Sequence, residues 1–282
     1  MNNDLDIKLE DLKRILLGLE SAVVAYSGGV DSTFLLKVAL DTLGKDKVLA
    51  AIGISETYPS REATEAVEMA QELGARYRTI HTEELANPQF AANPPDRCFH
   101  CKSELFGRLL GVAREEGLRY VVDGSNYDDL RDFRPGMRAG ALLGVRKPLQ
   151  EAGLTKADIR ELSRRMGLRT WNKPAAACLS SRFPYGTPIT PDALTRVDRA
   201  EAFLRSLGIG QLRVRHHDNL ARIEVEPVDL PLLIESANRA RIVAYFKELG
   251  YTYITVDLAG YRPGSMNEVL TDASRVSTST SG

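Results

Sequence analysis

The chain has 282 residues, 43% of them hydrophobic and 27% charged, with 37 basic against 38 acidic side chains. At roughly 150 residues per domain this length accommodates about two domains with a sizeable core, and the composition excludes a disordered chain. A net charge of −1 disfavours bulk electrostatic attachment to nucleic acid, three cysteines are too few and odd in number for a disulfide scaffold, and no apolar run approaches the ~20 residues of a membrane span. The polar, acidic stretch 1–10 does not read as a secretory signal, so the expectation is a soluble cytoplasmic protein without a membrane or nucleic-acid partner.

Leu9, Leu12, Ile15, Leu16 and Leu19 recur at helical spacing within 1–20. The apolar run 21–26 (SAVVAY) reads as a buried strand, followed by SGGVDS at 27–32 and a helix over 33–43. A second buried strand covers 48–54, a helix 60–73 stops at Gly74, and a third strand covers 76–81. Helix 99–116 stops at Gly117, and strand 120–123 leads into GSNYDD. Helix 155–166 opens with Thr155 and Asp158 at capping-box spacing and stops at Gly167. This alternation predicts an α/β fold: a mostly parallel sheet with helices on both faces, whose ligands lie beyond the carboxyl ends of the strands.

The pattern changes near residue 186. Helix 191–207, strands 212–216 and 221–225 around an Asp218-Asn219 turn, a long helix 229–249 and a strand 251–256 predict a smaller α+β domain. The expected division is 1–186 and 187–270, with a linker carrying Pro174, Pro184, Pro188 and Pro191. The Ser/Thr-rich 271–282 reads as a disordered tail.

Ser27, Gly28, Gly29, Asp31 and Ser32 lie between a buried strand and a helix. Two glycines permit a tight turn and close backbone approach to a ligand, the helix points free N–H groups and its positive dipole end at it, and the serines add hydroxyl donors. The result is an anion cradle without the Gly-Lys-Ser/Thr ending of a Walker A loop. It resembles the PP-loop, SGGxDS, of the ATP pyrophosphatases, which cleave ATP between the α and β phosphates. The resemblance implies ATP and Mg2+, with Asp31 contributing to the metal and phosphate environment.

Cys98 and Cys101 form RCFHCK at a helix start, and Cys178 lies in AAACLSSRFPYG. Three readings stay open on these residues: small buried hydrophobes, a zinc site completed by His100, or three thiolates holding a [4Fe-4S] cluster with one iron open to substrate or extra sulfide. Cys178 is also a candidate nucleophile, because cationic neighbours such as Lys173 and Arg182 would raise its thiolate fraction.

The PP-loop, the CxxC, ACLSSRFPYG and GYRPGSMNE at 260–268 together resemble the LarE family of ATP-dependent sulfur transferases, over about residues 5–270. The resemblance implies adenylation of a carboxylate of pyridinium-3,5-biscarboxylic acid mononucleotide, pyrophosphate release, then sulfur transfer to give a thiocarboxylic acid in nickel-pincer nucleotide biosynthesis. One branch of that family sacrifices a single cysteine, at the position resembling Cys178. Another has three cysteines and is thought to use a [4Fe-4S] cluster with a sulfide or other sulfur donor. Cys98, Cys101 and Cys178 match the second branch. Family analogy also implies a homo-oligomer.

Arg213 and Arg215 share one strand face, which suits a substrate phosphate as well as a solvated surface. The resemblance supports the phosphate, and it makes Glu201 and Glu224, with Glu226, candidates for a second-domain metal site, against a salt-bridge reading. Asp123, Ser125, Asn126, Asp128 and Asp129 read equally as nucleotide or metal contacts or as a loop cap, and Arg262 and Ser265 as phosphate contacts or a terminal turn. Rival functions are a tRNA thiolase, disfavoured by the net charge, an amide-forming PP-loop ligase with structural zinc, and a non-catalytic nucleotide sensor.

Overall fold

The structure is a computed structural model and describes residues 2–131, 135–174, 177–262 and 264–268. The expected tail 271–282 lies outside the described residues. The chain divides into two units: one comprises 1–84 and 96–176, the other 85–95 and 177–282. The sequence reading placed the junction at 186–187.

In the first unit, α1 (Asn2–Leu19) leads into β1 (Ala22–Ala25), and α2 (Val30–Leu43) into β2 (Val48–Ile54). Then follow α3 (Ser60–Glu72) and β3 (Arg76–His81). After α4 (Pro88–Ala91), which belongs to the second unit, come α5 (Arg97–Glu115), β4 (Tyr120–Asp123), α6 (Gly136–Leu142), α7 (Pro148–Glu151) and α8 (Lys156–Arg165). The sheet order is β3-β2-β1-β4, with all pairings parallel. Alternate residues of β1 and β2 face two cores, as the period of a strand dictates. Ala22, Val24, Val48, Ala50 and Ile52 pack with Leu12, Phe34 and Leu162, while Val23, Leu49 and Ala51 pack with Phe106, Leu109 and Val121. Both faces are thus covered, which explains why these strands read as continuous apolar runs.

From β1 the chain crosses towards β2 on one side, and β4 adds on the other. The carboxyl ends of β1 and β4 therefore flank a topological switch point, where such sheets bind ligands. SGGVDS leaves β1 there and GSNYDD leaves β4.

In the second unit, α9 (Pro191–Ser206) precedes β5 (Leu212–His217) and β6 (Leu220–Val225), an antiparallel hairpin turned at Asp218, whose φ is 52°. The long helix expected over 229–249 is two: α10 (Leu230–Ile234) and α11 (Ser236–Glu248). Glu235 is extended (φ −51°, ψ 134°), and the Asn238 amide donates to the Leu232 carbonyl freed by the break. β7 (Tyr253–Val256) pairs parallel to β6, completing a mixed sheet. Its core joins Leu204, Val214, Ile223, Phe246 and Tyr251.

Residues 85–95 join this unit through Asn93, fully buried at a positive φ of 57°. Its amide Nδ2 lies 2.7 Å from the Pro184 carbonyl and 3.1 Å from that of Thr187, both of which accept from it. Its own carbonyl accepts from the Gly186 N–H. Asn93→Ala strips these part-buried carbonyls of their donor and is expected to destabilise the protein by about 1–3 kcal/mol, measured by urea unfolding.

Candidate functional site

The phosphate loop is built by local geometry. Gly28 has φ +65°, and a Cβ on it would lie 2.8 Å from Ala66 Cβ, so the position excludes any side chain. Gly29 is the N-cap of α2 and no side chain caps it, which leaves the first N–H groups of the helix for an anion. The helix begins at Val30 rather than at the expected 33, so Asp31 and Ser32 stand in its first turn. Ser32 Oγ accepts the Ser27 N–H at 3.3 Å and lies 3.1 Å from Ser27 Oγ. The Tyr58 hydroxyl donates to the Ser27 carbonyl at 2.7 Å, and burial pushes that phenol well above its ordinary pKa, so it stays a donor. Lys173 donates to the Gly28 carbonyl at 3.4 Å and pairs with Glu62 at 2.7 Å and Glu65 at 2.9 Å.

Asp31 Oδ2 accepts from Lys156 Nζ at 2.7 Å, while Asp31 Oδ1 is buried with no hydrogen-bond donor. A buried carboxylate oxygen without a donor, in the first turn of a helix carrying an anion cradle, fits a hard divalent cation such as Mg2+. The GSNYDD segment folds against the same turn: a Cβ on Gly124 would lie 3.0 Å from the Ser32 nitrogen. The acids here make local turns, Asp123 at the end of β4 accepting from the Ser125 N–H and Asp129 from the Asn126 N–H, each at 2.9 Å. Asp128 accepts the Lys156 N–H at 2.8 Å. This is the loop-cap geometry, anchored to the residue that meets Asp31.

Cys98 and Cys101 stand three residues apart at the start of α5, Cys98 exposed and Cys101 half-buried. Cys101 Sγ lies 4.0 Å from Glu84 Oε1, which also accepts from Ser55 at 2.7 Å and Thr57 at 2.6 Å. Among the described residues, no group of three or more His, Cys, Asp or Glu side chains is arranged to hold a metal ion.

Cys178 belongs to the second unit, where it precedes a single turn, Leu179–Arg182. Its carbonyl accepts from Arg182 Nη1 at 2.9 Å and Ser181 Oγ at 2.8 Å. Arg182, 2% exposed, clamps Glu201, 1% exposed, through two bonds of 2.9 Å. Glu201 also accepts from Arg205 and from the Val214 N–H of β5. Burial would raise its carboxyl pKa, but Arg182 and Arg205 outweigh that and hold it below the ordinary range.

Arg213 and Arg215 are buried, not solvated. Arg215 donates to the Ser181 carbonyl at 2.8 Å, to Glu224 at 2.6 Å and to Ser265 Oγ at 2.9 Å, so Ser265 is a partner of this arginine. Arg213 packs over the Tyr261 ring, and burial together with Arg182 pushes its guanidinium down to about 10, still charged at neutral pH. Glu224 also meets Arg222 at 3.1 Å. The structure thus joins Cys178, Arg215, Glu201 and Glu224 in one network, in which the two glutamates pair with arginines, and Arg213 lies close enough to feel the charges of Arg182 and Glu201. Five arginines (Arg182, Arg205, Arg213, Arg215 and Arg222) against three carboxylates, Glu201, Glu224 and the Asp257 that meets Arg222 at 3.6 Å, make it receptive to an anion.

Sequence reasoning missed Tyr58, Glu84 and Lys156. The sequence leaves the direction of Lys173 open; its ammonium sits at the phosphate loop on Glu62 and Glu65. Only Lys156 left a readable signal: a cation at the first position of a helix opposes the dipole, so its partner had to lie elsewhere.

A parallel sheet with an SGGVDS loop at its switch point and an Asp in the first helical turn defines an ATP pyrophosphatase of the PP-loop type. A family model described as NAD synthase matches residues 12–97, the part that carries the loop. The chain is 46% identical to an uncharacterized protein of Synechocystis sp., over 95% of this chain and 99% of that protein. It is 40% identical to the pyridinium-3,5-bisthiocarboxylic acid mononucleotide synthase of Lactiplantibacillus plantarum, over 94% of this chain and 96% of that one. An uncharacterized protein of Methanocaldococcus jannaschii is 30% identical over 91% of this chain and 96% of its own length. The chain belongs to the LarE family of PP-loop sulfurtransferases.

Glu201→Gln puts an amide N–H against Arg182 in either orientation, since Arg182 donates to both oxygens, and is expected to cost roughly 3–5 kcal/mol, the usual penalty for breaking a buried ion pair. The folded carboxyl lies below its unfolded value of about 4.3, so its contribution is present above that pH and is lost as pH falls through the folded value. Thermal unfolding at pH 7 and pH 3 checks both statements: the gap between wild type and Glu201→Gln should be wide at pH 7 and narrower at pH 3.

Proposed function

We propose that this chain is an ATP-dependent sulfurtransferase of nickel-pincer nucleotide biosynthesis, acting on pyridinium-3,5-biscarboxylic acid mononucleotide in the cytoplasm. One observation carries the reading: the turn of Cys178, the candidate sulfur residue, and Arg215, one of the two arginines suited to a substrate phosphate, belong to one hydrogen-bonded network. The single turn at Leu179–Arg182 and β5 build it.

The chemistry has two stages. A carboxylate resists nucleophiles because oxide is a poor leaving group. One carboxylate oxygen of the substrate attacks the α-phosphorus of ATP, the bond from that phosphorus to the α–β bridging oxygen breaks, and pyrophosphate leaves. In the first unit, the loop N–H groups, Ser27 and Ser32 cradle the departing phosphates, and Asp31 is the residue to hold Mg2+, which supplies charge neutralisation when bound. A sulfur nucleophile then attacks the acyl carbon, AMP departs with the oxygen it activated, and a thiocarboxylate remains. In the second unit, Arg213 and Arg215 orient the mononucleotide phosphate.

Cys98 and Cys101 are assigned with Cys178 to a [4Fe-4S] cluster, which when bound would hold an extra sulfide for transfer. The alternative within the same family is a sacrificial Cys178: its thiolate forms a thioester, and β-elimination breaks the Cβ–S bond to leave dehydroalanine. Iron and acid-labile sulfide on protein prepared without oxygen separate the two. Near four irons per chain, lost on substituting any of the three cysteines, supports the cluster; iron-free protein competent for one turnover supports the sacrificial route.

Asp31→Asn is expected to abolish pyrophosphate release, by at least about a hundredfold, in a coupled pyrophosphate assay. Wild-type release would remove the loop from the mechanism. Cys178→Ala is expected to lose thiocarboxylate formation, followed by mass spectrometry, while part of the pyrophosphate release persists, because the loop is built without it. Retained sulfur transfer would exclude Cys178.

A further inference from the structure

Lys156 occupies the first position of α8, after the N-cap Thr155, whose capping box with Asp158 is complete. The dipole of a helix disfavours a cation in its first turn, so local stability does not account for this side chain. Its ammonium instead reaches Asp31, 2.7 Å from Oδ2, across 125 positions of sequence. The backbone of Lys156 is pinned by its N–H to Asp128 and by the capping box, while its side chain is 35% exposed on a flexible four-carbon stem. The other Asp31 oxygen is buried and has no donor. A lysine therefore neutralises half of a carboxylate whose remaining oxygen suits a hard cation.

We infer that Lys156 is the protein's own stand-in for the divalent cation at Asp31: it balances the aspartate in the nucleotide-free protein and must swing away as metal and ATP enter. The inference rests on the PP-loop reading and deepens it, because it makes Lys156 a positioning residue that sets how much divalent cation the loop requires. With Lys156 in place, metal competes with an ammonium for Asp31. Without it, Asp31 offers both oxygens and a full negative charge.

The test uses the full chain, Mn2+ as the probe and α,β-methylene ATP, whose α–β linkage cannot be cleaved, so the readout is binding and not turnover. Analogue binding is followed by calorimetry across a Mn2+ series. Lys156→Met is expected to lower the half-saturating Mn2+ concentration by about fivefold, as befits a part-exposed ion pair. Lys156→Arg is expected to stay near wild type, and Asp31→Asn to raise the requirement steeply. A requirement that is unchanged or higher in Lys156→Met, while Asp31→Asn still raises it, overturns the role of Lys156 and leaves the loop reading intact. A requirement indifferent to Asp31→Asn, or an analogue that does not bind wild type at any Mn2+ concentration, overturns the loop reading and this inference with it. Lys156→Gln carries the same expectation should the methionine variant lose its helical circular dichroism.

Discussion

The second unit depends on the ion pair between Arg182 and Glu201. Both side chains are almost wholly buried, so neither tolerates loss of the other. Glu201 lies on α9, Arg182 ends the turn that begins at Cys178, and the Val214 N–H that Glu201 accepts lies on β5. One carboxylate thus aligns the cysteine turn, a helix and the strand of two arginines. Hydrophobic burial could assemble the same elements, but without the directionality that sets the Cys178 turn against β5.

In the first unit the governing constraint is topological. The strand order leaves a crevice at the carboxyl ends of β1 and β4, and the chain places its glycines there. Gly28 is needed twice over, for its positive φ and because Ala66 leaves no room for a Cβ. The loop is then braced by groups distant in sequence: Tyr58 on the Ser27 carbonyl, Lys173 on that of Gly28, and Lys156 on Asp31. None of these is part of the motif, and each acts on its charge or its backbone.

The polar segments divide into those that serve a ligand and those that serve the fold. GSNYDD and the Asp123 before it are acidic enough to read as a metal site, yet their carboxylates are taken up by backbone N–H groups. Glu201 and Glu224 likewise meet arginines rather than standing free. Asp31 differs, because one of its oxygens is buried without a donor. The distinction is one of hydrogen-bond accounting, since a buried acceptor without a donor marks a place for something else.

By itself the sequence determined the α/β class, the four parallel strands and the phosphate loop, because hydrophobic period, glycine stops and the Thr155 capping box are local signals. Local signals also misled. Helical periodicity ran through the break at Glu235, since Leu230, Leu233, Ile242 and Phe246 keep apolar character on both sides of it. The helix start at Val30 was set too late because Gly29 caps without a side chain. The proline-bearing stretch after 170 read as a linker, yet from Ala177 onwards it belongs to the second unit, tied there by the carbonyls that Asn93 gathers. Tertiary structure alone decided the burial of Arg213 and Arg215, the pairing of Glu201 and Glu224, and the meeting of Lys156 with Asp31. Each of these is a long-range charge pairing, and a side chain's charge does not state its partner until the fold has removed the water between them.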